Sequence, residues 1–117
     1  MVERIESSLE DDKALDIVTI DLVGKTSIAD RMIVASGNSA RLVNAMTDHI
    51  VQRLKDTGIR PKTEGQTQCD WVLIDAGDVI VHLFRPEVRA YYNIEKIWGL
   101  SPESPDRDLS AARIVSA

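Results

Sequence analysis

Apolar residues follow a helical spacing at the start of this chain and then change to the spacing of strands. Within residues 3–14, Ile5 and Leu9 fall on one helical face and acidic residues occupy much of the remainder, which predicts a short amphipathic helix. In residues 16–22 one set of alternate side chains is apolar, and residues 29–36 are largely apolar and are followed by Gly37. Both segments are therefore predicted to be strands.

The longest helix is predicted over residues 39–57. Ser39 or Asn38 would cap its first backbone N–H groups, and Gly58 stands where a left-handed residue commonly ends a helix. Apolar residues recur there at steps of three and four and predict one buried face: Leu42, Val43, Met46, Ile50 and Leu54.

The second half of the chain is predicted to hold three strands and a last helix. Residues 62–64 form a short extended segment, and two apolar runs within 71–84 form a hairpin. Pro86 suits the first position of a helix over 87–98, which Gly99 would end. The order αββαβββα indicates an α/β fold with a single mixed β-sheet and packed helices.

The composition changes after the last predicted helix. The segment SPESPDRDLS, starting at Ser101, contains two prolines, three serines and mixed charges, which is typical of a chain without a core. Residues 1–100 are therefore predicted to form one domain, and residues 101–117 a flexible C-terminal tail.

The hairpin DWVLIDAGDVIVH, residues 70–82, has two different predicted faces. With Ala76 and Gly77 as a two-residue turn, Trp71 would lie opposite His82 and Asp75 opposite Asp78. One face is wholly apolar and is expected under the long helix: Val72, Ile74, Val79, Val81 and Leu83. The other face mixes aromatic, aliphatic and charged side chains: Trp71, Leu73, Asp75, Asp78, Ile80, His82 and Phe84.

The mixed face has three interpretations. It is either a half-covered sheet surface with a polar turn, or a partner-binding surface with aromatic anchors inside a charged rim. The third interpretation makes Asp75 and Asp78 metal ligands, and it has little support because aspartate is common in turns.

The turn SGNS, residues 36–39, is a separate candidate. It offers either a phosphate site or a plain helix cap, and the presence of only one glycine favours the cap.

The last helix adds aromatic residues to these candidates. Tyr91, Ile94 and Trp98 lie at helical spacing and could together pack on the sheet, an interpretation that is favoured for Trp98. Tyr92 and Glu95 would then point outward and extend the binding surface.

Charge and composition narrow the function classes. The formal net charge is -5 and the sequence pI is about 4.9, which argues against broad contact with DNA or RNA phosphates and favours a basic protein partner. Cys69 is the only cysteine, so no intrachain disulfide can form. The N-terminal residues lack a signal-peptide pattern, and no apolar stretch approaches the length of a membrane span, so a cytoplasmic location is expected.

Three segments together resemble the ribosomal silencing factor family, also called RsfS or Iojap-like. They are ADRMIVASGNSARLVNAMTDHI, EGQTQCDWVLIDAGDVIVHLF and RPEVRAYYNIEKIWG, within residues 5–99. The resemblance implies a nucleotidyltransferase-like fold and a factor that is not an enzyme. It also implies binding to the large ribosomal subunit through its fourteenth protein, which would block joining of the small subunit. A homodimer of the free protein is a further possibility that the resemblance implies.

The implied fold makes a Mg²⁺-dependent nucleotidyltransferase the alternative. Such an enzyme requires a D-x-D carboxylate pair on a strand to hold the cation, and none of the predicted strands carries one. No catalytic residue, metal or cofactor is therefore expected. The family's binding tryptophan corresponds to Trp71, and the predicted partner-binding set is Trp71, Asp75, Asp78, His82, Phe84, Tyr92 and Glu95.

Overall fold

The computed structural model describes residues 1–68 and 70–92, without the side chain of Tyr92. Within these residues the predicted order αββαβββα is confirmed. The elements are α1 (Val2–Asp11), β1 (Leu15–Asp21), β2 (Arg31–Ser36), α2 (Ala40–Lys55), β3 (Lys62–Glu64), β4 (Trp71–Asp75), β5 (Val79–Phe84) and α3 (Pro86–Tyr92).

The five strands form one sheet in the order β1-β2-β5-β4-β3. The central strands β2 and β5 are parallel, whereas the other neighbouring strands are antiparallel. The predicted single mixed sheet is therefore confirmed. The parallel pairing requires a crossover between β2 and β5, which contains α2 and the two intervening strands.

The main core lies between one face of the sheet and the two longer helices. Helix α1 contributes Ile5 and Leu9, both with no exposed surface. Helix α2 contributes Val43, Met46, Ile50 and Leu54, and the strands contribute Ile33, Ala35, Val72, Ile74, Val79, Val81 and Leu83. The apolar face predicted for the hairpin is thus confirmed as the face that packs against the helices.

Both ends of α2 are formed as predicted. The Ser39 hydroxyl accepts a hydrogen bond from the Leu42 N–H at 3.1 Å, so a side chain caps the helix start. Gly58 follows the helix with φ +87°, the left-handed conformation that glycine adopts at low cost.

The β4–β5 register differs from the predicted one by two residues. Gly77 and Asp78 are the central turn residues, since the Ala76 N–H donates to the Val79 carbonyl at 3.0 Å. Gly77 has φ +88°, as glycine commonly has at the first central position of a type II′ turn. Trp71 consequently pairs with Phe84, and Asp75 with Ile80. A two-residue shift keeps every side chain on its predicted face.

Helix α3 begins at Pro86 as predicted, but the rest of the predicted last helix, beyond residue 92, lies outside the described residues. The predicted domain boundary at residue 100 and the tail over 101–117 also lie outside them. None of the helices among residues 1–68 and 70–92 combines the length and apolar composition that crossing a bilayer requires.

Candidate partner-binding site

Trp71 is half-buried at the first position of β4, on the sheet face opposite α1 and α2. Its indole Nε1–H donates a hydrogen bond to His82 Nδ1 at 2.9 Å. Its ring packs against Phe84, with 4.9 Å between the ring centroids. The predicted proximity of Trp71 and His82 is therefore found, although the two residues are diagonal neighbours rather than direct partners.

His82 and Phe84 are buried, with 1% and 0% of their surface exposed. Their predicted place on an accessible binding face is therefore wrong in this conformation. Phe84 belongs to a second apolar cluster formed by Ile20, Leu22, Ala29, Met32, Val34 and Phe84, against which Val18, Trp71, Ile80 and Val88 pack. His82 stacks on Phe84, with 5.9 Å between the ring centroids. The segment that follows β1 and the helix α3 supply Leu22, Ala29 and Val88, which the local pattern of the hairpin cannot reveal.

Burial determines the charge state of His82. Removal from water lowers the pKa of its imidazole to about 4, because the charged form loses its hydration. His82 is therefore neutral near neutral pH. Since Nδ1 accepts the indole hydrogen bond, the ring proton resides on Nε2. Nε2 is itself buried and has no hydrogen-bond partner among the described residues.

An open groove of about 650 Å³ lies beside Trp71. Two segments line this groove. The first is Trp71 with the loop before it, and its lining residues are Gly65, Thr67, Gln68, Asp70 and Trp71. The second is α3, which contributes Glu87, Val88 and Tyr91. Tyr91 is 81% exposed and does not pack on the sheet, whereas Trp98, for which such packing is predicted, lies outside the described residues. Val88 packs against the second apolar cluster instead, and this sets the rotation of α3.

Arg85 connects the two parts of the groove lining. Its Nη1 lies 3.1 Å from Asp70 Oδ1, and its Nη2 lies 2.5 Å from Glu87 Oε1. The Arg85 N–H also donates to the Asp70 carbonyl at 3.0 Å. One guanidinium between two carboxylates leaves a net negative charge beside the aromatic surface.

The loop before Trp71 is fixed by its backbone and by an amide. Gly65 has φ +89° and approaches Trp71 so closely that a Cβ would lie 2.2 Å from the Trp71 carbonyl oxygen. The Gln66 side chain donates to Asn44 Oδ1 at 3.2 Å and to Asp48 Oδ1 at 3.1 Å, both on α2. The loop wall of the groove is therefore held against the main helix.

Asp75 and Asp78 do not join the Trp71 group. Both are exposed at the hairpin turn, and Asp75 is four extended residues, roughly 13 Å, from Trp71. Asp75 Oδ1 accepts the Gly77 N–H at 2.9 Å, and the Asp78 carbonyl accepts from Asp30 and Arg31 at 2.8 and 3.2 Å. The predicted set thus divides between the two ends of the hairpin.

Two predicted residues cannot be placed in either group. The side chain of Tyr92 and the whole of Glu95 lie outside the described residues. Conversely, the sequence interpretation missed the groove acids Asp70 and Glu87. Their signals were modest: Asp70 directly precedes the key tryptophan, and Glu87 follows the proline that starts α3.

The SGNS turn is engaged by the protein itself. Ser39 is the cap of α2, as above, and the Gly37 N–H donates to the Phe84 carbonyl at 2.9 Å. The Ser36 hydroxyl accepts from Arg89 Nη1 at 3.0 Å. These contacts favour the cap interpretation of the turn over a phosphate site.

The groove combines an aromatic surface with carboxylates, which is the chemistry that recognises basic side chains of a protein partner. The fold itself is that of a small α/β protein with one mixed sheet. A family model described as "Ribosomal silencing factor during starvation" matches residues 1–116. The chain belongs to this family, and with it to a class of ribosome-associated silencing factors whose role is regulatory.

Individual relatives agree with this assignment. A Zymomonas mobilis ribosomal silencing factor is 53% identical over 105 residues, which cover 89% of this chain and 79% of the relative. A crystal structure of a Chromobacterium violaceum protein superposes with a TM-score of 0.82 at 42% identity, covering 87% of both chains. The mouse protein named "Mitochondrial assembly of ribosomal large subunit protein 1" is 32% identical over 85% of this chain and 45% of its own length.

Proposed function

We propose that this protein represses translation by binding the large ribosomal subunit and blocking its association with the small subunit. The contact would be made through the fourteenth protein of the large subunit, on the face that joins the small subunit. The observation that carries the proposal is family membership over residues 1–116. The name of the mouse relative, which refers to the ribosomal large subunit, supports the choice of subunit.

The groove beside Trp71 supports a basic protein as the partner. Trp71 would serve as the anchor, because a half-buried aromatic ring can add contact area without unfolding the core. Asp70 and Glu87 supply negative charge next to it, and the whole chain carries a net charge of -5. Such charge favours encounter with a positively charged protein surface.

The other predicted site residues take different parts in this proposal. Asp75 and Asp78 would form a second, peripheral contact at the hairpin turn, while Tyr92 and Glu95 would add to the contact surface. His82 and Phe84 would contribute indirectly, because they contact the Trp71 ring from the buried side and hold it in place. A homodimer that covers the groove would be the free form of the protein in the cytoplasm.

Co-sedimentation with purified ribosomal particles tests the proposal. The protein should be recovered in the pellet with isolated large subunits, and it should not sediment with isolated small subunits or with joined ribosomes. Recovery from large subunits should fall as salt is raised, because screening weakens contacts between an acidic protein and a basic one. Equal recovery with all three particles, or with none, would contradict the proposal.

A further inference from the structure

The hydrogen bond between Trp71 and His82 restricts the side chain that the proposed function uses as an anchor. The bond joins Nε1–H to Nδ1 at 2.9 Å, and Phe84 packs against both rings, at centroid distances of 4.9 Å from Trp71 and 5.9 Å from His82. The torsion that rotates an aromatic ring about its Cβ–Cγ bond is otherwise broad. A fixed acceptor on one edge of the indole therefore selects one ring orientation at the groove.

A histidine is a costly residue at this position. The imidazole is 1% exposed and stacks on Phe84, a member of the second apolar cluster. Its Nε2 is buried without a partner among the described residues, and a buried unpaired polar group lowers folding stability. Leucine or phenylalanine would fill the same space without that cost. The atom that these residues lack is the Nδ1 acceptor.

The neutral state of the ring is necessary for this contact. A protonated imidazole carries N–H groups at both nitrogens and has no lone pair to offer the indole. Burial lowers the His82 pKa to about 4, so the acceptor is available throughout the neutral pH range. Burial thus keeps the imidazole in the neutral form that the hydrogen bond requires.

We propose that His82 is a positioning residue, which orients the Trp71 indole for recognition of the ribosomal partner without contacting that partner. This inference rests on the proposed function of the groove. A ring that is already oriented loses less conformational freedom on binding, and this raises affinity. The competing explanation is that His82 only fills space beside Phe84.

Two substitutions separate these explanations. His82→Leu fills the space but removes the acceptor, whereas His82→Asn places an amide oxygen near the position of Nδ1. The indole Nε1–H resonance of Trp71 and the affinity for purified large subunits are then measured for each variant. His82→Leu should shift this resonance, speed its exchange with solvent and weaken binding about fivefold, because ordering one free side chain on binding costs about 1 kcal/mol. His82→Asn should restore most of the affinity and of the protection.

Val34→Ala is the matched control, because Val34 pairs with His82 on the neighbouring strand and is fully buried in the second apolar cluster. It should lower the unfolding midpoint while the folded protein binds like the parent. If His82→Leu does not fold, His82→Phe gives the same test with an aromatic ring.

The inference is overturned if the variant without an acceptor binds like the parent, or if binding weakens equally in His82→Leu, His82→Asn and Val34→Ala. Either result would leave large-subunit binding by the parent intact, so the proposed function would survive. Failure of the parent itself to bind large subunits would instead overturn the proposed function together with this inference.

Discussion

Gly65 and the carbonyl group of Trp71 are in such close contact that no side chain fits between them. A Cβ at position 65 would lie 2.2 Å from the Trp71 carbonyl oxygen, and the residue also has φ +89°. Both features favour glycine, because it has no Cβ and adopts positive φ readily. The contact sets where the loop ends and β4 begins, and hence the position of the Trp71 ring.

Gly65→Ala should therefore destabilise the protein by more than the roughly 1 kcal/mol typical of strain at a positive φ alone. Gly24→Ala is the control, because Gly24 has φ +83° and open space where its Cβ would lie. Denaturant unfolding of both variants measures the difference. Equal unfolding free energies would show that the contact with Trp71 relaxes without cost.

Truncation of Trp71 and of Val81 should have opposite effects, because the two residues lie on opposite faces of the sheet. Trp71→Ala should weaken binding to large subunits by about thirtyfold or more. It should cost less stability than the roughly 3–5 kcal/mol of a fully buried aromatic residue, since the ring is only half-buried.

Val81→Ala should cost stability without changing the affinity of the folded protein, because Val81 has no exposed surface. Thermal unfolding and subunit binding of both variants decide the matter. If Trp71→Ala unfolds the domain or binds like the parent, the groove is not the binding site.

The stability of the protein should depend on pH through His82. Its pKa is 6.5 in an unfolded chain and about 4 when folded, so between these values the unfolded state binds a proton that the folded state excludes. Stability from this group is fully present above pH 6.5 and is lost as the pH falls toward 4. The loss should be about 3 kcal/mol at most.

His82→Asn should remove this contribution, because an amide does not titrate in this range. The measurement is the unfolding free energy of parent and variant at each pH, and the difference between the two curves isolates His82. Parallel curves would contradict the neutral, buried state of the imidazole.

Loss of the Ser39 cap of α2 should lower the unfolding free energy without affecting the groove beside Trp71. Ser39→Ala removes the hydroxyl that accepts the Leu42 N–H at 3.1 Å, and it should cost about 1 kcal/mol of unfolding free energy. Ser7→Ala, at an exposed position inside α1, should be neutral or slightly stabilising. A Ser39→Ala variant as stable as the parent would mean that water replaces the cap.

Local sequence patterns were sufficient for most of the fold. The spacing of Val43, Met46, Ile50 and Leu54 identified α2 and its buried face, and Ser39 identified its start. The hairpin faces were also predicted correctly, although the turn was placed at Ala76 and Gly77. That error left the faces unchanged because a shift of two residues preserves the alternation of a strand.

The candidate site was less predictable because it depends on contacts between distant segments. His82 and Phe84 were expected at the surface, yet Leu22, Ala29 and Val88 help to bury the face to which they belong. The hairpin sequence alone does not indicate that residues outside the hairpin pack on this face. Arg85 likewise joins Asp70 to Glu87 across the groove, and such a bridge becomes visible only when the loop and α3 are placed beside each other.

Subunit joining is the most direct test of the proposed repression. Purified small and large subunits are mixed, and the light scattered by joined ribosomes is followed with and without the protein. The parent protein should reduce the scattering increase in proportion to its occupancy of the large subunit, and Trp71→Ala should require a much higher concentration for the same reduction. Unchanged joining in the presence of large subunits saturated with the parent protein would contradict the account.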